Sequence, residues 1–343
     1  MNKQLQHILY LREKVTKLEK KLNNLNTKRT ITQGPPGPKG DVGNIGIKGE
    51  KGDIGNIGIK GEIGDVGDIG NVGKKGLKTN GFITFILCPR PFINNYYDLQ
   101  YNSIIALKQF KCTKKIVLCC NDEGIEEFCK KFDLIYEPEV EKNEWGTPLV
   151  RSIFELGYKN TDENDYTCYL NSDIMFLDNF DKTMLEFRKL YSNLDKFLIT
   201  GCRSDKIPPH EKVNFEDKKW CEVAKSTYKM NLHAPTGIDY FIHTPKTYNK
   251  IPKGFAIGRW HWDRWLMNEA KTTKDVMTFN ITNTCTAIHF DSLYYRNGKM
   301  GTQKEVDNKS HPEVKRNLNI GKGKNLDCSK IKSHWDNNKI IFK

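Results

Sequence analysis

Residues 34–76 read GPPGPKGDVGNIGIKGEKGDIGNIGIKGEIGDVGDIGNVGKKG, with glycine at every third position and no interruption. The fifteen glycines of this stretch are more than half of the 27 in the chain. Only glycine fits at the axis of three intertwined polyproline-II strands, so the strict period predicts a triple helix. A flexible glycine-rich linker does not hold one phase over so many triplets. At ~3.1 Å per residue, residues 34–78 would form a rod of roughly 140 Å.

A short heptad pattern precedes this repeat. Six apolar residues from Ile8 to Leu25 are spaced 3, 4, 3, 4 and 3 apart, as in the a/d seam of a coiled coil. The alternative is one amphipathic helix that lies on a globular core. Because three triple-helix strands must start in register, the first interpretation is favoured. We expect residues 1–33 to form a short coiled coil and 34–78 a collagen-like rod, which together assemble a homotrimer.

The rest of the chain has ordinary globular composition, in which two kinds of segment alternate. Apolar, β-rich segments at 82–88, 116–120, 134–136 and 166–176 alternate with helical segments at 97–110, 125–132 and 148–158. This alternation predicts an α/β fold with a mostly parallel sheet flanked by helices. We assign the domain to 79–296 and interpret 297–343 as a basic polar tail, in which Trp335 and residues 340–342 can still dock.

The formal net charge of +13 lies almost entirely outside this domain. Residues 1–33 carry +6, residues 34–78 carry +1 and residues 296–343 carry +7, which leaves −1 for 79–295. A near-neutral domain without zinc-finger spacing or an aromatic–basic RNA motif is not expected to bind nucleic acid specifically.

Neither membrane insertion nor secretion is expected. No apolar run approaches the ~18 residues that span a bilayer, and residues 1–14 alternate apolar with charged side chains, unlike a signal peptide. The ten cysteines, from Cys88 to Cys328, have no regular spacing and no C-x-x-C pair. We therefore expect free thiols in a reducing compartment.

The first candidate site is the sequence Asn171-Ser172-Asp173, within the strongly apolar segment 166–176. An acid at the carboxyl end of a strand in an open α/β sheet lies where ligands bind. A carboxylate there can hold Mn²⁺ or Mg²⁺, which in turn neutralises a diphosphate. The alternative is an aspartate that only caps a loop.

The second candidate is the segment 256–266, which holds three of the six tryptophans, Trp260, Trp262 and Trp265. At a pocket rim these side chains would bind sugar rings through their apolar faces. Asp263 would accept a proton from a hydroxyl group. The alternative is structural, with Asp263 as the helix N-cap and the tryptophans in the core. Three tryptophans within six residues cannot all pack inward on one helix face, which favours a function.

Two more titratable residues lie in apolar strand contexts. Asp239, beside Tyr240, is costly to bury unless it is paired or functional. His289 follows a second short apolar strand. A lone histidine is more often a satisfied core residue than a ligand, but this one gains weight because Asp173 needs further ligands.

Several motifs between residues 82 and 295 together resemble the GT-A-type glycosyltransferases, which have the nucleotide-diphospho-sugar transferase fold. They are PRPF at 89–92, NDEG at 121–124, NEWGTPL at 143–149, LNSDI at 170–174, LHAPTGIDYF at 232–241, FAIGR at 255–259, WDRWL at 262–266 and AIH at 287–289. Because the agreement is spread across the domain, it is more specific than any single motif.

The resemblance implies a metal-dependent sugar transferase. In that family a D-x-D-like motif at a strand end binds the metal and the sugar-nucleotide, and a late histidine often completes the coordination. Asn171-Ser172-Asp173 matches this motif with its first acid replaced by asparagine. The full candidate site comprises donor-binding Asn171, Ser172, Asp173, Arg203 and Arg259, catalytic Asp263 and Asp239, acceptor-binding Trp260, Trp262, Trp265 and Tyr240, and metal-binding Asp173 and His289.

The fusion of a collagen repeat to such a domain, with heavy use of lysine, asparagine and isoleucine, is also similar to the collagen-like proteins of giant DNA viruses. Those proteins are associated with glycosylated surface fibrils and with lysine hydroxylation. The third position of a Gly-x-y triplet, the natural site of hydroxylysine and attached sugar, is occupied by Lys39, Lys48, Lys51, Lys60, Lys75 and Lys78. This resemblance implies hydroxylysine-modifying enzymes as partners, synthesis in a host cytoplasm and display at a virion surface.

Two functions follow as hypotheses. The first is a trimeric glycosyltransferase on a collagen-like stalk, which would use Mn²⁺ or Mg²⁺ and a nucleotide-diphosphate sugar such as a UDP-sugar. The second is a structural fibre protein of a virion surface whose head keeps the transferase fold without turnover. The missing first acid of the D-x-D-like motif favours the second.

Overall fold

The computed structural model describes residues 81–93, 96–206, 212–227, 230–233, 237–248, 250–290, 310–321, 331–336 and 339–343. The predicted coiled coil of 1–33 and the collagen-like rod of 34–78 lie outside the described residues. We refer to the part of the chain that follows the rod as the head.

The head alternates strands with helices along most of its length. Its strands are β1 (Ile83–Leu87), β2 (Thr113–Cys119), β3 (Ile135–Glu137), β4 (Tyr166–Leu170), β5 (Ile174–Phe176), β6 (Phe197–Thr200), β7 (Ser204–Lys206), β8 (Met230–Leu232), β9 (Tyr240–His243), β10 (Met277–Asn280), β11 (Ala287–Phe290), β12 (Ile331–Asp336) and β13 (Lys339–Phe342). Its helices are α1 (Tyr96–Leu107), α2 (Ile125–Phe132), α3 (Val150–Asn160), α4 (Asn179–Leu190), α5 (Trp220–Thr227), α6 (Trp262–Thr272) and α7 (Pro312–Ile320).

The larger sheet has nine strands in the order β13-β12-β10-β6-β9-β4-β1-β2-β3. Strand β1 pairs in parallel with β2 and β4, β2 with β3, and β10 with β6 and β12. The antiparallel pairs are β9 with β4 and β6, and β12 with β13. The predicted α/β fold with a mostly parallel sheet flanked by helices is therefore confirmed.

The centre of this sheet is buried on both faces, which explains its sequence. All five residues of β1, ITFIL, are buried, as are all five of β4, YTCYL. Strands covered by helices on both sides read as continuous apolar runs, and helix α3 contacts β1, β2 and β4. In the core the rings of Phe176 and Phe180 stack with centroids 4.1 Å apart.

A second sheet of four strands, in the order β5-β11-β7-β8, brings distant polar residues together. The segment 166–176, predicted as one strand, is divided into β4 and β5 by a turn in which the Ile174 amide donates to the Asn171 carbonyl over 3.1 Å. Strand β11 pairs antiparallel with β5 and parallel with β7, so His289 lies opposite Ile174 on one side and Asp205 on the other. This arrangement builds the polar site described below.

The interpretation of 297–343 as a polar tail is wrong where the structure describes that region. Strand β12 joins the larger sheet beside β10, and β13 pairs with β12. Helix α7 buries Val314 and Asn317. The polar composition hid these elements because some of their buried contacts are themselves polar: the Thr284 hydroxyl lies 2.7 Å from that of Ser333 in the core.

The structure also describes the cysteines and the apolar character of the helices. No disulfide joins the nine cysteines within the described ranges, and eight of the nine are buried. Among the described residues no helix is long and apolar enough to cross a membrane.

His243 is expected to make the head less stable below about pH 6.5. Its ring is fully buried and stacks on Phe154 at 5.3 Å, and its Nε2 has no hydrogen-bond partner among the described residues. Burial lowers the pKa of His243 to about 4, although its hydrogen bond to the Thr244 carbonyl opposes this shift. In the unfolded chain this histidine has a pKa of ~6.5, so its full contribution to the free energy of unfolding is present above that pH. As the pH falls to ~4, about 3 kcal/mol of this free energy is lost.

The measurement is denaturant unfolding followed by tryptophan fluorescence, since all six tryptophans lie in the head. The variant His243→Phe keeps a ring against Phe154 but cannot titrate. The difference in unfolding free energy between the two proteins isolates this histidine, because other groups contribute equally to both. Parallel pH profiles for the two proteins would contradict the prediction.

Candidate functional site

A polar cleft of about 340 Å³ opens where β1, β2 and β4 end. It is lined by Cys88, Pro89, Arg90, Pro91, Asp122, Pro148, Tyr169, Asn171, Ser172, Asp173, Ile257, Gly258 and Arg259. Because β2 and β4 both run parallel to β1, the residues that follow them meet at one edge of the sheet. This is the edge at which open α/β sheets bind ligands.

Asn171 is held in place by its neighbours in the fold. Its Nδ2 donates to Asp239 Oδ1 over 2.8 Å, and its Oδ1 accepts from the Tyr169 hydroxyl over 2.7 Å. An aspartate at this position would place a second carboxylate against Asp239 with no proton to share. The departure from the D-x-D-like pattern therefore has a local reason, although Asn171 still lines the cleft.

Ser172, the next residue of the turn, is tied to the loop after β1. Its hydroxyl donates to Gln100 Oε1 over 2.9 Å. The same oxygen accepts from the Arg90 backbone amide over 2.7 Å, and Gln100 Nε2 donates to the Arg90 carbonyl over 3.0 Å. Gln100 thus fixes the two loops that form this wall of the cleft.

Asp173 lines the cleft, and a quarter of its side chain is exposed. Its Oδ1 is buried and has no hydrogen-bond partner among the residues that the structure describes. Burial alone would raise the pKa of Asp173, but His289, with Arg90 and Arg203 beyond it, lowers the pKa to about 2. The group is therefore an anion at neutral pH, and its one oxygen without a partner lies beneath the cleft surface.

His289 lies between two carboxylates. Its Nδ1 is 3.2 Å from Asp205 Oδ1, and its Nε2 is 3.6 Å from Asp173 Oδ2, an ion-pair separation longer than a hydrogen bond. Burial would lower the pKa of His289, but the two carboxylates raise it to about 10. The imidazole is a cation at neutral pH.

Arg203 extends this network to Asp239. Its Nη1 is 2.7 Å from Asp239 Oδ2 and its Nε is 2.9 Å from Asp205 Oδ1. His233 adds an Nε2 at 3.8 Å from Asp205 Oδ2. With Asn171 on its other oxygen, Asp239 has both carboxylate oxygens engaged, so in this arrangement it is a structural partner and not the predicted proton acceptor.

Asp263 is the second residue of α6 and does not line the cleft. Its Oδ1 accepts from the Arg264 amide over 2.8 Å. Burial raises the pKa of Asp263, and the nearby charge of Asp239 adds to that effect. The helix N-cap is His261, so the alternative of Asp263 as N-cap is also not realised. A carboxylate with a raised pKa retains the chemistry of a proton carrier.

Three of the four predicted acceptor-binding aromatics lie in the core. Trp262 and Trp265 are 6% and 8% exposed, and Tyr240 is fully buried. Helix α6 begins at Trp262, so residues 262 and 265 share its inward face, whereas Trp260 precedes the helix and is 39% exposed. The rim-aromatic prediction is wrong for Trp262, Trp265 and Tyr240, because two of the three tryptophans do pack inward together.

Arg259 lines the cleft and is oriented by the C-terminal helix. Its Nε lies 2.6 Å from Oε2 of Glu313, which is fully buried in α7. Asn143 Nδ2 donates to the other Glu313 oxygen over 2.6 Å. Burial raises the pKa of Glu313, but hydrogen bonds from Thr147, Asn143 and Arg259 outweigh it and lower the pKa.

Two residues of the site were missed by sequence reasoning. Arg90 follows β1 and adds a second cation to the cleft; the strand-end position alone was a usable signal. Glu313 lies 54 residues beyond Arg259, in the region interpreted as a tail, and no local pattern pointed to it.

The side chains of Asp173 and His289 meet the requirements of a divalent-cation site only in part. Asp173 offers a buried oxygen without a partner, and carboxylate oxygens are what Mn²⁺ and Mg²⁺ prefer. His289 would fit only after losing its proton, since a metal ligand must be deprotonated. Within the described ranges, no three His, Cys, Asp or Glu side chains are arranged as a ready metal site.

Residues 32–81 match the collagen triple helix repeat (20 copies). The collagen-like segment predicted at 34–78 is therefore confirmed. Comparison with curated protein sequences gives no match.

Solved structures give distant likenesses. S. aureus TarS 1–349 is 8% identical over 70% of this chain and 72% of that chain, with a TM-score of 0.40. The inositol-1-phosphate CTP transferase from T. maritima is 12% identical over 71% of this chain and 98% of that chain, with a TM-score of 0.35. At these TM-scores the likenesses support no assignment of activity.

Proposed function

We propose that the head is a glycosyltransferase that takes a sugar from a nucleotide-diphosphate sugar, a UDP-sugar among the candidates, bound in the polar cleft. The observation that carries the proposal is Asp173. It is an anion with an unpartnered oxygen, at the carboxyl end of a central strand, in a cleft that also contains Arg90 and Arg259. The sequence resemblance to GT-A-type enzymes agrees with this assignment.

The two arginines supply what the leaving group needs. Transfer of a sugar from a nucleotide diphosphate leaves negative charge on the diphosphate, and preorganised cations near that charge are the largest source of acceleration in such reactions. The Arg259 guanidinium is held by Glu313 before the substrate arrives. Gln100 holds only the backbone of Arg90, whose exposed guanidinium donates from Nη1 to the Tyr96 hydroxyl over 3.3 Å.

Mn²⁺ or Mg²⁺ belongs to the proposal as a cofactor. When bound, it would act as a Lewis acid that neutralises the diphosphate. Asp173 would hold it, and His289 would contribute after releasing its proton. Arg203 and Asp205 would then keep the His289 ring in place through the contact at Nδ1.

For the acceptor, the chain offers one exposed aromatic and one carboxylate of raised pKa. Trp260 follows Arg259, which lines the cleft, and it is 39% exposed. Asp263 stays the proposed base of an inverting reaction, but it does not line the cleft, so the acceptor hydroxyl would have to reach it beyond the cleft wall. Asp239 is the less suitable base because both of its oxygens are already engaged.

The test is a panel of nucleotide sugars incubated with the full chain, with Mn²⁺, with Mg²⁺ and with chelator. Release of nucleotide and transfer to added glycan acceptors are measured. We expect one donor to be turned over in the presence of a metal. Failure of every donor, together with no heat of binding for UDP, GDP or CDP in calorimetry, would overturn the proposal.

A second function is favoured by two observations. The collagen repeat is a structural module, and Asn171 stands where the transferase pattern has an acid. The head would then be the non-catalytic end of a fibre, for which a virion surface is the proposed location. A nucleotide-free, catalytically silent trimer would support this alternative.

The predicted coiled coil and collagen-like rod, residues 1–78, are together called the stalk, and we expect the stalk to assemble the chain as a trimer. Replacing Gly55 with alanine puts a methyl group at the crowded axis and should lower the melting temperature of the triple helix by several degrees, with the head unaffected. Circular dichroism follows the stalk, and tryptophan fluorescence follows the head. Ile54→Val is the matched control, because Val66 occupies the equivalent position of the next repeat. Equal melting curves for the alanine variant and the parent would exclude a triple helix.

The stalk lysines are proposed modification sites. Lys39, Lys48, Lys51, Lys60, Lys75 and Lys78 occupy the third triplet position. Hydroxylysine-modifying enzymes would be the partners, and host cytoplasm the place of synthesis. Peptide mass spectrometry of the native protein tests this, and unmodified lysines at all six positions would reject it.

A further inference from the structure

The cleft is bordered by two loops that are paired with each other. The Val150 amide donates to the Phe255 carbonyl over 2.9 Å, and the Ile257 amide donates to the Pro148 carbonyl over 3.0 Å. One loop contributes Pro148 to the cleft wall, and the other contributes Ile257 to Arg259. The two loops therefore form a single rim.

Helix α7 fastens this rim from outside. Asn317 is fully buried; its Oδ1 accepts from the Ala256 amide and its Nδ2 donates to the Ala256 carbonyl, both over 2.9 Å. Glu313 bonds to Asn143 on the first loop and to Arg259 on the second. Because both contacts come from one helix, the rim is rigid and can present side chains in fixed positions.

Trp145 is the side chain that this rigid rim presents to solvent without an explanation. It is 44% exposed, at the tip of a turn closed by the Gly146 amide, which donates to the Asn143 carbonyl over 2.9 Å. Its own amide donates to Asn143 Oδ1 over 3.0 Å. A single exposed aromatic side chain is ordinary on a protein surface, but one on a turn that is held beside a cleft can serve as a fixed contact for a ligand.

The ring itself is also held. The Arg316 guanidinium lies 4.6 Å from the Trp145 ring centroid and forms a two-pronged ion pair with Glu144. Arg316 therefore covers one face of the indole, and the neutral charge pair beside it gives no net attraction for an anion. With Arg316 over one face, a stacking partner would use the opposite face of this partly exposed side chain.

We propose that Trp145 is a carbohydrate-binding platform, on which a pyranose ring of the acceptor stacks through its apolar C–H face. Aromatic rings with one open face and hydrogen-bonding neighbours match the alternation of apolar faces and hydroxyl edges in a sugar. At no more than ~3.6 Å per residue, Trp145 lies within about 11 Å of Pro148 in the cleft wall. That distance corresponds to one or two sugar units, so the acceptor would be an oligosaccharide or a glycan chain.

The assignment to the acceptor rests on the proposed function, but sugar binding at Trp145 does not. The experiment is therefore binding without donor: the full chain on an array of immobilised neutral glycans, followed by calorimetry with the best-bound glycan in free form. We expect Trp145→Ala to weaken binding by roughly ten-fold or more, as for other truncated aromatic anchors. Trp145→Phe keeps a ring and should lose only a small part of the affinity.

Two controls separate stacking from folding. Leu318→Ala removes an exposed side chain from α7 itself and should bind as the parent does. Arg316→Ala removes the guanidinium that holds the Trp145 ring. It should weaken glycan binding by several-fold and leave the melting temperature of the head unchanged. Binding that survives Trp145→Ala, or the absence of any bound glycan on the array, would overturn the proposal. Trp145-dependent binding by a head that turns over no donor would instead refute the transferase and leave the platform standing.

Discussion

Replacing Asp173 with asparagine is expected to lower the rate of sugar transfer by at least about a hundred-fold while the head stays folded. The two side chains have the same shape, so only the negative charge and the unpartnered acceptor oxygen are lost. Loss of one preorganised electrostatic contact to the reacting groups costs about 10²–10³ in kcat. Because Asp173 is also the proposed metal ligand, the loss of kcat in this variant would include the loss of bound metal.

The measurement is kcat at saturating donor, with the donor found in the nucleotide-sugar panel. Asp195→Asn is the matched control, since that carboxylate is 79% exposed and pairs with Lys246 at the surface. It should retain the parent rate. If Asp173→Asn keeps more than about a tenth of the parent rate, Asp173 is not at the reacting centre, and the strand-end assignment fails.

The strand-end turn shows how far sequence reasoning reached. Its position after an apolar segment was enough to locate residues 171–173 at the edge where ligands bind, and the structure puts them in the cleft. What could not be predicted is the use of Asn171, because its partner Asp239 is 68 residues away and reaches it only through the pairing of β4 with β9.

The tryptophan cluster shows how a helix boundary decides between function and core. The three tryptophans do not all share the inward face of one helix, as predicted. The sequence did not indicate which of the three is exposed. The start of α6 at Trp262 decides this: Trp262 packs edge-on against Tyr169 at 5.3 Å, and Trp260 falls in the loop. A boundary error of two residues would exchange their roles, and sequence patterns rarely fix boundaries more finely.

The C-terminal region escaped prediction for a different reason. Its contribution to the site is a buried carboxylate, Glu313, and a buried amide, Asn317. Hydrophobic periodicity cannot find elements whose buried side chains are polar and satisfied by distant loops. Such residues are visible only once the rim that they bind has been assembled.

Replacing Arg203 with methionine is expected to destabilise the head by about 3–5 kcal/mol, the cost of leaving a buried carboxylate without its partner. The side chain of Asp239 is only 11% exposed, and its remaining contact is the Asn171 amide. Asp205 loses a partner too, but it is one-third exposed and keeps His289. The main loss therefore arises at Asp239. Denaturant unfolding followed by tryptophan fluorescence measures it.

The double variant Arg203→Met/Asp239→Asn separates charge from packing. If the loss comes from an uncompensated charge, neutralising Asp239 as well should recover most of the stability, because an apolar side chain beside an amide has no charge to desolvate. If it comes from lost packing of the arginine stem, the double variant will be at least as unstable as the single one. The double variant could recover its stability and still lose sugar transfer. The fold would then be intact without the two charges, so Arg203 and Asp239 would serve the reaction through the charge they place beside His289 and Asp173.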